Sequence, residues 1–197
     1  MKPITLGLAM CGSFCTYARV LDAFRALAGT NQYVLIPIMS QAGFETNSRF
    51  GSADAFRTQL EELCGHEIIH TIEGAEPIGP KKLLDALIIA PCTGNTLAKL
   101  AAGIADGPVT LAAKAHLRNE RPIVLAVSTN DGLAGNAANL GVLLNRRGYY
   151  FVPFGQDSAF KKPRSLVADF TKLPETVDAA LRGEQLQPML YTPGVPD

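Results

Sequence analysis

The chain has 197 residues, which is enough for one domain with a substantial hydrophobic core. Hydrophobic residues make up 47% of it and charged residues 18%, as in an ordinary globular protein. Lys and Arg total 18, as do Asp and Glu, so no charge excess points to nucleic acid or an anionic membrane as a partner.

The first elements of the chain are two apolar strand patterns with a helical pattern between them. Residues 4–10 and 33–39 are predicted to be buried strands, and Pro37 places the second one at a sheet edge or a bulge. Between them, apolar residues recur at helical spacing over 14–24, and Gly29 suits a helix C-cap.

The next elements are less regular. We expect a polar loop over "SQAGFETNSRFGS" (40–52) and an amphipathic helix over 56–64. The stretch "EIIHTI" (67–72) indicates a short strand or an extended piece, and "EGAEPIGPKK" (73–82) indicates a loop with two prolines.

The rest of the chain again alternates strands and helices. Three strands are predicted, at "ALIIA" (86–90), "PIVLAVST" (122–129) and "YYFVPF" (149–154). Four helices are predicted, at "NTLAKLAAGIA" (95–105), "VTLAAKAHLRN" (109–119), "LAGNAANLGVLLNRRG" (133–148) and 174–181.

This alternation predicts parallel strand pairing with right-handed crossovers. We therefore expect one three-layer α/β domain over 1–197, with a mostly parallel Rossmann-like or flavodoxin-like sheet. A C-terminal helix and an extended tail should follow from about 156. "ALIIA" and "PIVLAV" should be its central strands, since nearly continuous apolar runs suit burial on both faces.

In such sheets the ligand crevice lies beyond the carboxyl ends of the strands. The first loop there contains Gly12 and Ser13, and Ser13 either simply caps a helix or helps its free amides attract a phosphate. The GxGxxG fingerprint is missing, which disfavours a dinucleotide and leaves a mononucleotide with one phosphate.

Two later strands also end in small polar turns. Thr93, Asn95 and Thr96 follow one of them, where hydroxyl and amide groups can hydrogen-bond a heterocycle or phosphate; Asn95 as a plain helix cap is the alternative. Gly94 would leave room for a planar ring. "STNDGL" offers a second such turn to the same crevice, with Thr129 and Asn130.

"APCTGNTLAKLAAGIAD" resembles the signature of the FMN-dependent cysteine decarboxylase-like flavoprotein family, Pro-x-Ser-Ala-Asn-Thr followed by a helix and Gly-x-x-Asp. Thr93 stands here for the serine and Gly94 for the alanine. The positions that match are Pro91, Asn95, Thr96, Gly103 and Asp106.

The resemblance implies an FMN site. Gly12 and Ser13 resemble the phosphate-binding turn, and Ser40 falls where the family places a flavin-contacting hydroxyl. Of the family's Pro-x-Met-Asn segment only Asn130 is kept, which disfavours cysteine-peptide decarboxylation. His70 precedes the signature as the decarboxylases' catalytic histidine does, so His70 and Asn95 are the catalytic candidates; a packed or solvated histidine is the alternative.

One branch of the family resembles the chain from Ile4 to about Leu186, through strings such as "HTIEGAEPIGPKK" and "GPVTLAAKAHLRNERPIVLAVSTND". It implies the oxidation of dihydrodipicolinate to dipicolinate during sporulation, together with a nicotinamide-binding partner, the A subunit of that enzyme, which carries NADP. Lys161 and Lys162 are then candidates to bind the dicarboxylate. A non-catalytic flavin-fold module that stabilises this partner and an independent FMN-dependent decarboxylase are the alternatives.

The remaining expectations concern metals, assembly and location. The four cysteines contain no CxxC pair and the three histidines give no zinc spacing, so we expect no metal and reduced thiols in the cytoplasm. We expect no membrane span, since no stretch approaches about 18 uninterrupted apolar residues. Zero formal charge and the family resemblance favour a homo-oligomer.

Overall fold

One mixed sheet organises the computed structural model, which describes residues 3–191. Residues 1–2 and the end of the expected tail, 192–197, lie outside the described residues. The strands are β1 Ile4–Met10, β2 Tyr33–Met39, β3 Ala86–Cys92, β4 Ile123–Thr129, β5 Tyr149–Phe151, β6 Phe154–Gly155 and β7 Leu166–Ala168.

Helices connect these strands and cover the sheet. They are α1 Tyr17–Gly29, α2 Gln41–Glu45, α3 Ala53–Cys64, α4 Ile72–Ala75, α5 Gly94–Ala102, α6 Pro108–Leu117, α7 Ala137–Leu144 and α8 Leu173–Leu181. Their contacts divide most of them into two groups, α1 with α3 and α8, and α4 to α7, as expected for a sheet between two helical layers.

The parallel strands follow the order β2-β1-β3-β4-β5. This is the flavodoxin-like order, and its topological switch point lies between β1 and β3. The prediction of a single, mostly parallel α/β domain is confirmed, as is the central position of β3 and β4. Every residue of β3 is buried, which agrees with its unbroken apolar sequence.

The sheet departs from the prediction at its far side. The expected strand "YYFVPF" is divided: β5 pairs parallel with the first half of β4, whereas β6 pairs antiparallel with β7. β7 also pairs antiparallel with the end of β4, and no strand was predicted between "YYFVPF" and the last helix. Strands of two or three residues carry no periodicity, so sequence patterns cannot identify them.

Two segments expected as loops contain short helices. Ser40 accepts a hydrogen bond from the Gly43 amide (3.2 Å) at the start of α2, and Thr71 accepts one from the Gly74 amide (3.0 Å) at the start of α4. These caps satisfy the first free amides of helices too short to show an apolar period. The expected extended piece is present: Ile69 forms a bridge to the edge strand β2 beside Pro37.

The start of α5 packs tightly against the loop that follows β4. A Cβ atom on Gly94 would lie 2.6 Å from Thr129 Oγ1, 2.8 Å from Asp131 Oδ1 and 2.5 Å from Asn136 Nδ2. These three side chains hydrogen-bond to one another through the Asp131 carboxylate, so none can move aside alone. Gly94 therefore allows two neighbouring loops of the sheet edge to touch.

Gly94→Ala should lower the free energy of unfolding by about 1–3 kcal/mol, because the added methyl group overpacks this contact. Gly141→Ala is the matched control: Gly141 lies inside α7 with nothing within 4 Å of its would-be Cβ. The control should be neutral or stabilising by up to about 1 kcal/mol. Urea unfolding at fixed protein concentration measures both, and equal effects would contradict the packing argument.

His116 is buried in α6, with Nε2 3.0 Å from the Pro122 carbonyl oxygen. Burial lowers its pKa to about 4 from the ordinary 6.5. Because the folded-state pKa is depressed, the unfolded chain binds the proton first, and stability is lost as the pH falls from 6.5 towards 4.

We expect this histidine to cost the wild type about 1–2 kcal/mol of stability between about pH 6.5 and pH 5. The side chain of His116→Gln stays neutral, so the free energy of unfolding of this variant should fall by about 1–2 kcal/mol less over the same pH interval. Urea unfolding of both proteins at the two pH values measures the difference. Identical pH dependence would show that His116 does not resist protonation.

Candidate functional site

Two depressions lie side by side at the carboxyl edge of the sheet, and they share Gly12 and Thr93 in their linings. The smaller depression, of about 340 Å³, lies towards β4 and β7. The larger depression, of about 730 Å³, lies towards β2 and the start of α6. Both volumes are in the range of small-molecule sites, and both depressions flank the switch point of the sheet.

The predicted residues divide between the two depressions. The smaller one is lined by Gly12, Ser13, Thr93, Gly94, Thr129, Asn130 and Lys162. The larger one is lined by Gly12, Ser40, His70, Thr93, Asn95 and Thr96. Lys161 is exposed and lines neither of them.

Ser13 joins the β1 loop to the end of β4. Its side chain caps no helix; Ser13 Oγ lies 2.7 Å from Ser128 Oγ instead. The Ser13 carbonyl accepts hydrogen bonds from the hydroxyl and the amide of Thr16, which fixes the turn. Ser128 was missed by the sequence analysis, because it ends the apolar run of β4. The pair offers two adjacent hydroxyls to a ligand in the smaller depression.

Asn95 has a different position from the helix cap that we considered as an alternative. Thr93 is the N-cap of α5: its hydroxyl accepts from the Thr96 amide (3.2 Å) and lies 3.0 Å from the Thr96 hydroxyl. The Asn95 side chain is exposed in the larger depression and hydrogen-bonds to no other residue within 3–191. Its amide is available to a ligand.

His70 is held at the rim of the larger depression by an aromatic contact. Its ring stacks on Phe44, with centroids 3.7 Å apart and planes 5° apart, and the Arg57 guanidinium lies 4.6 Å from the same Phe44 ring. His70 is exposed and lines the larger depression, so it is not packed in the core, and its catalytic role stays a prediction.

Cys11 contributes a buried thiol to the larger depression. Burial raises its pKa to about 11, although hydrogen bonds with the Thr96 and Ser40 side chains act in the opposite direction. The thiol is therefore protonated at neutral pH, and it acts here as a small polar surface rather than a nucleophile.

The loop after β4 fills the space that Gly94 was expected to leave open. Gly94 was expected to leave room for a planar ring, but Thr129, Asp131 and Asn136 fill the space beside it. The Thr129 hydroxyl donates to Asp131, while the Asn130 side chain is exposed in the smaller depression. A cofactor-binding role for Gly94 would therefore rest on its backbone.

Charged residues from the chain between β6 and β7 and from α1 line the smaller depression. Lys162 Nζ lies 3.4 Å from Asp157 Oδ2. Partial burial opposes ionisation of Asp157, but the Ser165 hydroxyl and Lys162 together hold its pKa below the ordinary value. Arg19 also lines this depression, and it was missed because a single arginine on a helix surface carries no sequence signal.

Three further features concern possible metal ligands, the cysteines and the length of the helices. Among residues 3–191, no group of three or more His, Cys, Asp or Glu side chains could hold a metal ion, and the four cysteines are unpaired. No helix in the described part of the chain is long and apolar enough to cross a membrane.

Comparisons with known proteins bear on this geometry. The family model described as "Flavoprotein" matches residues 1–159. The B subunit of dipicolinate synthase from Bacillus subtilis (strain 168) is 44% identical over 190 residues, which is 96% of this chain and 94% of that protein. Flavin prenyltransferase UbiX of Deinococcus radiodurans is 29% identical over 150 residues, which is 72% of this chain and 74% of that protein.

Solved structures agree with this result. The crystal structure of the dipicolinate synthase B subunit from Bacillus halodurans has a TM-score of 0.87 and 40% identity, and the match covers 96% of each chain. A dodecameric FMN-dependent UbiX-like decarboxylase from Escherichia coli O157:H7 has a TM-score of 0.62 at 24% identity, covering 76% of this chain and 80% of that one. The second likeness shows the fold alone.

The family model spans most of the strands, and the similarity to the Bacillus proteins extends over almost the whole chain. The resemblance found in the signature after β3 is thereby confirmed. This chain belongs to the flavoprotein family.

Proposed function

We propose that this chain is the B subunit of a dipicolinate synthase. In this proposal it acts in the cytoplasm with the nicotinamide-binding A subunit, which carries NADP, to oxidise dihydrodipicolinate to dipicolinate during sporulation. The observation that carries the proposal is the similarity to two dipicolinate synthase B subunits, at 44% and 40% identity over 96% of the chain. Polar and cationic groups at the crevice fit a small dicarboxylate.

FMN is the proposed cofactor of this chain, and when bound it would supply a two-electron acceptor beside the substrate. The residues at the crevice fit a mononucleotide. Gly12 and Ser13 offer a small turn whose Ser13 hydroxyl, paired with that of Ser128, lines the smaller depression. Asn95 offers an amide without a partner within 3–191. Ser40, Thr96, Thr129 and Asn130 would complete the cofactor-binding set with Thr93 and Gly94.

The remaining roles follow from the chemistry of the substrate. Aromatisation removes two electrons and two protons from the dihydropyridine ring, so a proton acceptor is needed near it. His70 is the proposed acceptor, since its ring is held against Phe44 at the rim of the larger depression. Lys162 is the proposed contact for a substrate carboxylate, whereas Lys161 lies outside both depressions.

A non-catalytic role, in which this chain only stabilises the nicotinamide-binding subunit, is the second candidate. The filled space beside Gly94 favours it, because a ring cannot lie against that surface. An independent decarboxylase is less favoured, since Asp131 hydrogen-bonds to Thr129 and Asn136 in the loop where the family has Pro-x-Met-Asn. We also propose a homo-oligomer, which the zero formal charge of the chain favours.

Reconstitution tests the proposal directly. The chain should be mixed with a candidate nicotinamide-binding subunit, NADP and dihydrodipicolinate, and dipicolinate formation followed with each protein omitted in turn. We expect full activity only with both proteins, and a flavin absorbance at about 450 nm in the chain reconstituted with FMN. Full activity of the nicotinamide-binding protein by itself would contradict the proposal. A colourless chain that still raises the activity of its partner would favour the second candidate.

Asn95→Ala should weaken FMN binding about 5- to 100-fold, because it removes a hydrogen-bonding amide from the larger depression. Fluorescence titration with FMN measures the affinity, and reconstituted dipicolinate formation should fall with it. Asn145→Ala is the control, since Asn145 is exposed at the end of α7 and lines neither depression. Unchanged affinity and activity in Asn95→Ala would remove Asn95 from the site.

A further inference from the structure

Arg19 is a positioned cation that has no anionic partner among the described residues. It lies on α1, and its guanidinium carbon is 5.0 Å from the centre of the Phe170 ring, a cation–π contact that restricts its position. The nearest carboxylate along the helix, Asp22, is paired with Arg25 at 2.6 Å. Within residues 3–191, the Arg19 guanidinium forms neither an ion pair nor a hydrogen bond, so its N–H donors are available.

Neighbouring carboxylates are also committed elsewhere. Asp169, next to Phe170 in the chain, accepts hydrogen bonds from the amide and the hydroxyl of Thr171. Asp157 accepts from Ser165 and pairs with Lys162. Because these carboxylates already have partners, ion pairing within the fold does not explain why an arginine lies at this position.

The smaller depression has the charge that an anion requires. Its charged lining residues are Arg19, Lys162 and Asp157, which leaves one formal positive charge in excess. The adjacent hydroxyls of Ser13 and Ser128, 2.7 Å apart, add hydrogen-bond donors on the sheet side. Two cations from different elements, α1 and the chain between β6 and β7, therefore border one small polar space.

We propose that Arg19 is a substrate-specificity residue: it binds one carboxylate of a planar ring dicarboxylate in the smaller depression, and Lys162 binds the other. The planar fork of a guanidinium matches a carboxylate through two parallel hydrogen bonds, which an ammonium cannot do. Two separated cations would then distinguish a dicarboxylate from a monocarboxylate. This inference rests on the proposed function, which supplies the dicarboxylate.

Isothermal titration of the full chain, with and without FMN, tests the inference with two probes, pyridine-2,6-dicarboxylate and pyridine-2-carboxylate. Arg19→Gln should weaken binding of the dicarboxylate about 10- to 100-fold and that of the monocarboxylate much less, so the preference between them collapses. Lys162→Gln should reduce the same preference, and Arg19→Lys should restore it only in part. Arg25→Gln, an exposed cation on the same helix, is the control and should change neither affinity.

Thermal denaturation of each variant shows whether it is folded; Arg19 is exposed, so we expect little change. If Arg19→Gln weakens FMN binding while dicarboxylate binding is unchanged, Arg19 binds the flavin phosphate and the inference is wrong. It is also wrong if the wild type does not bind the dicarboxylate, or binds it no better than the monocarboxylate. The proposed function is judged separately, by reconstitution with the nicotinamide-binding protein, so the two can fail independently.

Discussion

The burial of β3 and β4 on both faces is the constraint on which the rest of the structure depends. Both strands are almost entirely apolar, so they contribute core but few groups for chemistry. Chemical groups must therefore come from the loops, and parallel pairing brings those loops to one edge. The two depressions with their hydroxyls, the amide of Asn95 and the ring of His70 are the result.

The fold could be predicted because its central strands and most of its helices are long enough to show a period. The candidate site was predictable in part, for the related reason that polar turns after buried strands must meet at one edge. The sequence could not decide between neighbouring residues that suit the same role. Thr93 and Asn95 can both cap a helix, and in the structure Thr93 is the N-cap. Arg19 and β7 were missed, because tertiary contacts alone give them a role.

The division of the site into two depressions suggests a division of tasks. The larger depression holds His70, Asn95 and a protonated thiol, which suit hydrogen bonding and proton transfer. The smaller one holds the cations and paired serines, which suit an anion. Gly12 and Thr93 belong to both, so a ligand that extends across them would contact both sets of groups. A mononucleotide and a small dicarboxylate together would require such an arrangement.

The antiparallel pair β6–β7 has a consequence for how this family can diversify. The match to the family model ends at residue 159, whereas Lys162 and Phe170 come after it. β7 nevertheless joins the end of β4, so this later stretch is attached to the shared sheet beside the crevice. Substitutions in this stretch can therefore change the lining of the crevice while the buried sheet stays as it is.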